Sequence, residues 1–300
     1  MDMNLPFLFC IDRTHQEVAM NPDEYRSFFE ANGYLAVKGL LSPQEVAECQ
    51  QEVARLHGVA AERYAAGGAE KLGDFQLEPG QKDHPGDGLP ALRKMERTDQ
   101  YSEVFKKLAA HPRLVEVVQR LIGPDLLLFR STLMLKPAHQ GSAHALHQDS
   151  AYWPVEPPTL VTVSIMLNDA TEENGCLRII PGSHRWGLHE WGRIAVQKEE
   201  EMVPDETKLD LSKQMLLPLP AGSALFFHSL TVHGSGPNRS PNPRNTALYA
   251  YFPATVRYVP KGTAWTQEKA FRVIAGLGGK ETHTMVAEKQ ESGSPLSTAG

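Results

Sequence analysis

Residues 159–170, TLVTVSIMLNDA, constrain the fold more than any other stretch of the chain. Val161, Val163, Ile165 and Leu167 alternate with Thr162, Ser164 and Met166. A period of two sends successive side chains to opposite faces, so this run predicts a strand with one apolar face and one more polar face. Further short strand candidates surround it: LLLFRSTLMLK, CLRIIPGSH, SALFFHSLTVHG and NTALYAYFPA, bounded by Gly, Pro and Asn. Short strands punctuated by turn signals predict a β-sandwich or jelly roll.

The chain before Pro124 has a different character. NPDEYRSFFEANGY offers Asn21 as N-cap, Pro22 at the first helical position, Glu24 to close a capping box and Asn32-Gly33 as a stop. SPQEVAECQQEVARLH repeats the start signal with Ser42, Pro43 and Glu45, and YLAVKGLL between the two reads as a strand. SEVFKKLAAHPRLVEVVQRLIGP gives a further helical pair, stopped by Gly123-Pro124. Residues 66–92, rich in Gly, Asp and Pro, are expected to form a long loop. A charged insertion spans 185–213, where a lid over a site would sit. The expected fold class is α+β with a mainly β core, a double-stranded β-helix (cupin-like jelly roll) with N-terminal helices packed on the sheet. One domain is expected over 1–278, helical at about 21–123 and jelly-roll at about 125–258, followed by a disordered tail over 279–300.

Composition narrows the function classes. A chain of 300 residues with 41% hydrophobic content can bury a sizeable core. Its net charge of −6, without a polybasic run, gives no electrostatic reason for a nucleic-acid partner. No apolar stretch approaches the ~20 residues of a membrane-spanning helix, and LPFLFC lacks the basic flank of a signal peptide. Cys10, Cys49 and Cys176 form no CxxC pair or disulfide framework. These features predict a soluble protein of a reducing compartment, the cytoplasm; a monomer or homodimer with a small-molecule substrate is expected besides. Any metal would be held by histidines and carboxylates.

HALHQDSAYW, residues 144–153, supplies such a set. On a strand, His147 and Asp149 project to one face while Gln148 points away. Among twelve histidines a His-x-Asp pair also arises by chance, and a surface histidine bonded to an aspartate would explain it without metal. His233 in LTVHGSG offers a third ligand. Two histidines and one carboxylate leave opposite positions open, which suits non-haem Fe(II) with a co-substrate and O₂. Arg244 opens the next expected strand, with Ser235 on the way to it. An antiparallel return would bring Arg244 under the metal from the neighbouring strand, its guanidinium fork suited to the far carboxylate of a small dicarboxylic acid.

In this pattern the sequence resembles the phytanoyl-CoA dioxygenase family of Fe(II)- and 2-oxoglutarate-dependent oxygenases. The matching segments are LMLKP, LHQDSAYWP, ENGCLRIIPGSH, ALFFHSLTVHGSG and the arginine of NPRNTALYAYF, in the family's order over about residues 21–258. The resemblance implies iron ligation by His147, Asp149 and His233. It implies that Arg244, assisted by Ser235, holds the distal carboxylate of 2-oxoglutarate, with Lys94 reaching the co-substrate and Thr132 lining its pocket. It further implies O₂ as oxidant, ascorbate as an accessory cofactor, and C–H hydroxylation coupled to release of succinate and CO₂. Related halogenases carry a small residue where this chain has Asp149, so halogenation is not expected. Ser164 stands where the family's mammalian enzyme has a tryptophan, and the loop PAHQGSAHA is this protein's own, which separates it from phytanoyl-CoA as substrate.

For the substrate side the candidates are Tyr152, Trp153, Trp191 and Arg193, with Trp186 in the same insertion. Tyr152 and Trp153 read more readily as core aromatics, and Arg193 reads as readily as a solvated surface charge. His144 could contact substrate, His184 and Ser183 should build a turn, and His228 should pack. Gly175 and Gly182 should be turn residues with positive φ. Two alternatives stay open: a non-redox cupin-type metal protein (an isomerase or binding protein), and a family member performing desaturation or cyclisation in natural-product biosynthesis.

Overall fold

The computed structural model describes residues 10–12, 22–79, 91–188, 211–259 and 268–287. The first helix, α1 (Pro22–Asn32), leads into strand β2 (Tyr34–Lys38), beside which β1 (Cys10–Asp12) runs parallel. Helix α2 (Pro43–Gly67) starts where the capping signal lies. The Glu45 amide donates to Ser42 Oγ at 3.3 Å, and the Ser42 amide donates to Glu45 Oε2 at 2.7 Å. Both bonds satisfy amides that a helix start leaves unpaired.

The stretch expected as a loop over 66–92 is partly ordered: α2 continues to Gly67, and β3 (Phe75–Leu77) pairs with β4 (Leu92–Glu96). Phe75, Leu92 and Met95 anchor this hairpin in the core, which outweighs the poor strand propensity around them. Residues 80–90 lie outside the described residues. Short helices α3 (Thr98–Tyr101) and α4 (Glu103–Leu108) precede α5 (Pro112–Ile122).

Two sheets face each other. The larger one, of ten strands, carries the order β1-β2-β11-β8-β13-β5-β15-β16, with β4 also on β5. Its remaining members are β5 (Leu126–Lys136), β8 (Val161–Met166), β11 (Ala224–His228), β13 (Arg244–Pro253), β15 (Glu268–Ala275) and β16 (Thr282–Val286). The smaller sheet orders β10 (Met215–Leu217), β9 (Leu177–Ile179), β12 (His233–Ser235) and β6 (His144–His147). A short pair, β7 (Val155–Glu156) and β14 (Arg257–Tyr258), completes the strands.

The alternation of β8 determines its two faces. Val161, Val163 and Ile165 join Ala247, Tyr249 and Tyr251 of β13 in the core under the helices. The Tyr249 and Tyr251 hydroxyls donate to the carbonyls of Phe105 and Ala109, both at 2.8 Å, so the sheet is hydrogen-bonded to the helical layer as well as packed on it. Thr162, Ser164 and Met166 face the smaller sheet.

The end of the chain departs from expectation. Residues 282–286, placed in the tail by their composition, form β16, which pairs with β15 and buries Met285 beside Phe271. The large sheet therefore continues past residue 258. Residues 288–300 are outside the described residues, as are 189–210, which carry Trp191 and Arg193. No helix among the described residues is long and apolar enough to cross a membrane.

Candidate metal centre

β6 ends at His147, and Asp149 begins a single turn of 3-10 helix over Asp149–Ala151, not a continuation of the strand. The two side chains still converge because Gln148 between them keeps an extended backbone, φ −116°, ψ 127°. Gln148 is fully buried on the other side, where its side-chain amide donates to Leu230 O at 2.7 Å and Gly187 O at 2.9 Å. These bonds fix the turn that aims Asp149.

His233 lies directly opposite His147 in the β12–β6 register, with ring centroids 4.2 Å apart. Gly234 permits this approach: a Cβ there would meet His144 O at 2.7 Å and Ala145 O at 3.0 Å. Asp149 Oδ1 is 3.6 Å from His147 Nε2 and 3.9 Å from His233 Nε2. Among the described residues these three alone form a cluster able to hold a metal ion.

Both rings are anchored at the other nitrogen. His147 Nδ1 bonds Ala145 O at 2.9 Å, and His233 Nδ1 bonds Thr231 O at 2.9 Å. A carbonyl only accepts, so each Nδ1 carries the proton and each Nε2 presents a lone pair to the shared point. Burial depresses the His233 pKa to about 4, which keeps the ring neutral. Burial alone would raise the Asp149 carboxyl, but His233, His147 and a hydrogen bond from Thr162 outweigh it and hold the pKa at about 2. Thr162 Oγ1 donates to Oδ2 at 2.6 Å, leaving Oδ1 for the ion. Two neutral imidazoles and one ionised carboxylate are a donor set that fits Fe(II).

Arg244 stands on the opposite sheet, not on a strand beside His233. β12 belongs to the smaller sheet, whereas β13 pairs with β5 and β8 in the larger one. Arg244 is 3% exposed, its Nε has no hydrogen-bond partner among the described residues, and burial lowers its pKa to about 10. A buried guanidinium with an orphaned donor fits a missing carboxylate guest. Ser235 is buried opposite His144, whose Nε2 accepts from Arg93 Nε at 3.3 Å. Lys136, 1% exposed, sits opposite Arg244 and donates to the carbonyls of Ser142 and, at 2.8 Å, Gly236.

Lys94 and Thr132 share an inward-facing rung pattern with Glu96, a residue the sequence reading passed over. Lys94 Nζ is 2.8 Å from Glu96 Oε1, and Thr132 Oγ1 donates to Glu96 Oε2 at 2.8 Å. Arg130 adds a two-pronged pair, Nε to Oε2 at 2.9 Å and Nη2 to Oε1. Burial opposes ionisation of Glu96, but these cations hold its pKa at about 2. The signal that could have found Glu96, Arg130 and Thr162 is alternation: each is polar on a strand whose neighbours are core.

Tyr152 is 46% exposed, its ring centroid 6.3 Å from that of His147 in an edge arrangement. Trp153 is buried, packs on Phe129 with ring centroids 5.0 Å apart and belongs with Val155, Leu160 and Phe252, the core placement also read for it from the sequence. Trp186, 40% exposed, ends a 3-10 turn over Ser183–Trp186. Ser183 builds that turn as expected, accepting from the Val232 amide at 2.8 Å. His228 packs against Phe29 and His184. Gly175 and Gly182 adopt φ of 79° and 77°.

Fold and site together define a jelly-roll metalloprotein of the non-haem oxygenase type. A family model described as "Phytanoyl-CoA dioxygenase (PhyH)" matches residues 29–246. The chain is 30% identical over 239 residues to L-proline trans-4-hydroxylase of Streptomyces griseoviridis, covering 73% of this chain and 82% of the relative. It is 28% identical to the peroxisomal phytanoyl-CoA dioxygenase of Rattus norvegicus, covering 86% and 75% of the two chains. Among solved structures, EctD from S. alaskensis with 2-oxoglutarate and 5-hydroxyectoine superimposes with a TM-score of 0.63 at 25% identity, covering 82% of this chain and 81% of that one. The chain belongs to the phytanoyl-CoA dioxygenase family, and is a non-haem Fe(II)- and 2-oxoglutarate-dependent dioxygenase.

Proposed function

We propose that this chain, acting as a single-domain enzyme, hydroxylates an unactivated C–H bond of a small molecule, with His147, Asp149 and His233 as iron ligands. The observation that carries the reading is the pair of histidines anchored at Nδ1 with both Nε2 atoms turned to Asp149 Oδ1. Iron and 2-oxoglutarate, when bound, supply oxidation of a substrate C–H bond coupled to conversion of 2-oxoglutarate into succinate and CO₂. The protein holds the reactants in place. Arg244, with Ser235 beside it, clasps the distal carboxylate in a buried setting where a charged hydrogen bond is strong. Thr162 holds Asp149 in one rotamer, and Phe227, its ring 4.4 Å from that of His233, screens that ligand from water.

Lys94 reaches 2-oxoglutarate while remaining paired to Glu96, and Thr132 lines the same channel. Relatives named for proline, ectoine and phytanoyl-CoA chemistry all act on small molecules, which supports a small-molecule substrate here. A metal-only cupin would have no use for Arg244, so the non-redox alternative is disfavoured.

The test is anaerobic addition of Fe(II) and 2-oxoglutarate, watched for the weak visible band of the chelate. Wild type should show it, while His147→Ala and Arg244→Ala lose or weaken it. No band in wild type, together with no succinate formed in air, would overturn the reading.

A further inference from the structure

Arg130 sits on the inward face of the large sheet. Its register partner on β13 is Ala250, which is itself opposite Thr162, the residue bonded to Asp149. The Arg130 guanidinium lies in the field of the Asp149 carboxylate. Glu96 fixes it from one side through Nε and Nη2, and Glu96 in turn is saturated by Lys94 and Thr132. The cluster of Lys94, Glu96 and Arg130 therefore carries one net positive charge. Nη1 of Arg130 donates to no described residue, and the side chain remains 36% exposed beside the metal site.

Arg130 and Arg244 stand on different stretches of the inward face. Arg130 and Lys136, the register partner of Arg244, are six positions apart on β5, roughly 20 Å along the strand. The two arginines mark opposite ends of the inward face. One is buried and suited to the co-substrate, and the other is accessible.

We propose that Arg130, braced by Glu96, is the specificity-determining residue of this enzyme: its Nη1 edge receives an anionic group, a carboxylate, of the primary substrate. This rests on the oxygenase reading above. A fixed guanidinium loses little freedom on binding, and a substrate lacking the anion leaves it unpaired, which costs more than the bond itself gains. The substrate class is then small carboxylic acids, amino acids included.

The test measures substrate-stimulated succinate release over the protein L-amino acids and straight-chain carboxylic acids, each beside its primary amide. In wild type at least one acid should exceed its amide by about a hundredfold in kcat/KM. Arg130→Gln should bring that ratio below about fivefold. A second variant, Arg130→Met, which keeps an extended stem while Glu96 stays paired with Lys94 and Thr132, should do the same. A conservative Arg130→Lys should keep part of the preference.

If no acid stimulates, if acid and amide are equal in wild type, or if both variants retain the ratio, the assignment is wrong. The anaerobic Fe(II)–2-oxoglutarate band on the same wild-type sample separates the two readings. Band present with a ratio near one overturns the Arg130 role alone, and band absent overturns both.

Discussion

The two faces of the large sheet are built from the same strands and do opposite things. On the outer face Val161, Val163, Ile165, Ala247, Tyr249 and Tyr251 are buried against the helices. On the inner face the alternate residues of the same strands are Thr162, Ser164, Arg244 and Thr246, joined by Arg130, Thr132, Lys94 and Glu96. One face supplies stability, since each large aliphatic side chain buried there contributes about 1.5–3 kcal/mol. The other carries polar groups whose burial is costly unless each finds a partner. Arg244 Nε lacks one among the described residues, and the guest it awaits would provide it.

If the faces divide labour in this way, substitutions on them should fail differently. Asp149→Ala should remove iron binding and succinate formation together, leaving the melting transition in place; iron content and succinate assays check both. Ile165→Ala, on the outer face, should cost about 2–5 kcal/mol in unfolding free energy through the cavity it leaves. Denaturant titration should report that loss while KM for 2-oxoglutarate stays unchanged. Thr162→Val keeps the shape of the inner face and deletes the bond to Asp149. It should weaken iron affinity by about 10–100-fold, read by metal titration, with little change in stability.

The smallest effect concerns a polar exception on the outer face. His228 packs against Phe29, and burial lowers its pKa from 6.5 to about 4. The unfolded chain then binds the proton more readily between those values, so stability is complete above pH 6.5 and declines as pH falls toward 4. With solvent screening the loss is about 1–2 kcal/mol. His228→Phe should flatten that slope in melts run across the pH series.

The outer face was legible in the sequence because hydrophobic period maps directly onto burial. So were His147, Asp149 and His233, since ligand spacing on strand ends survives the strand stopping at His147. Placing Arg244 was harder. Consecutive strands in a jelly roll alternate between sheets, so sequence order after His233 does not tell which sheet Arg244 joins. The strand β16 was illegible for another reason: Thr282, His283 and Thr284 are edge residues with little apolar content, and only Met285 is buried. Alternation marks Glu96 and Arg130 as polar residues on core strands, but their ion pair joins β4 to β5, and that pairing no local pattern encodes.

The most direct test of the account is diffraction from crystals soaked without air in Fe(II) and 2-oxoglutarate, with data collected at the iron edge. The account predicts one anomalous peak between Nε2 of His147, Nε2 of His233 and Oδ1 of Asp149, with the distal carboxylate of 2-oxoglutarate on Arg244. A peak elsewhere, or a co-substrate carboxylate seated on another residue with Arg244 still unpaired, would contradict it.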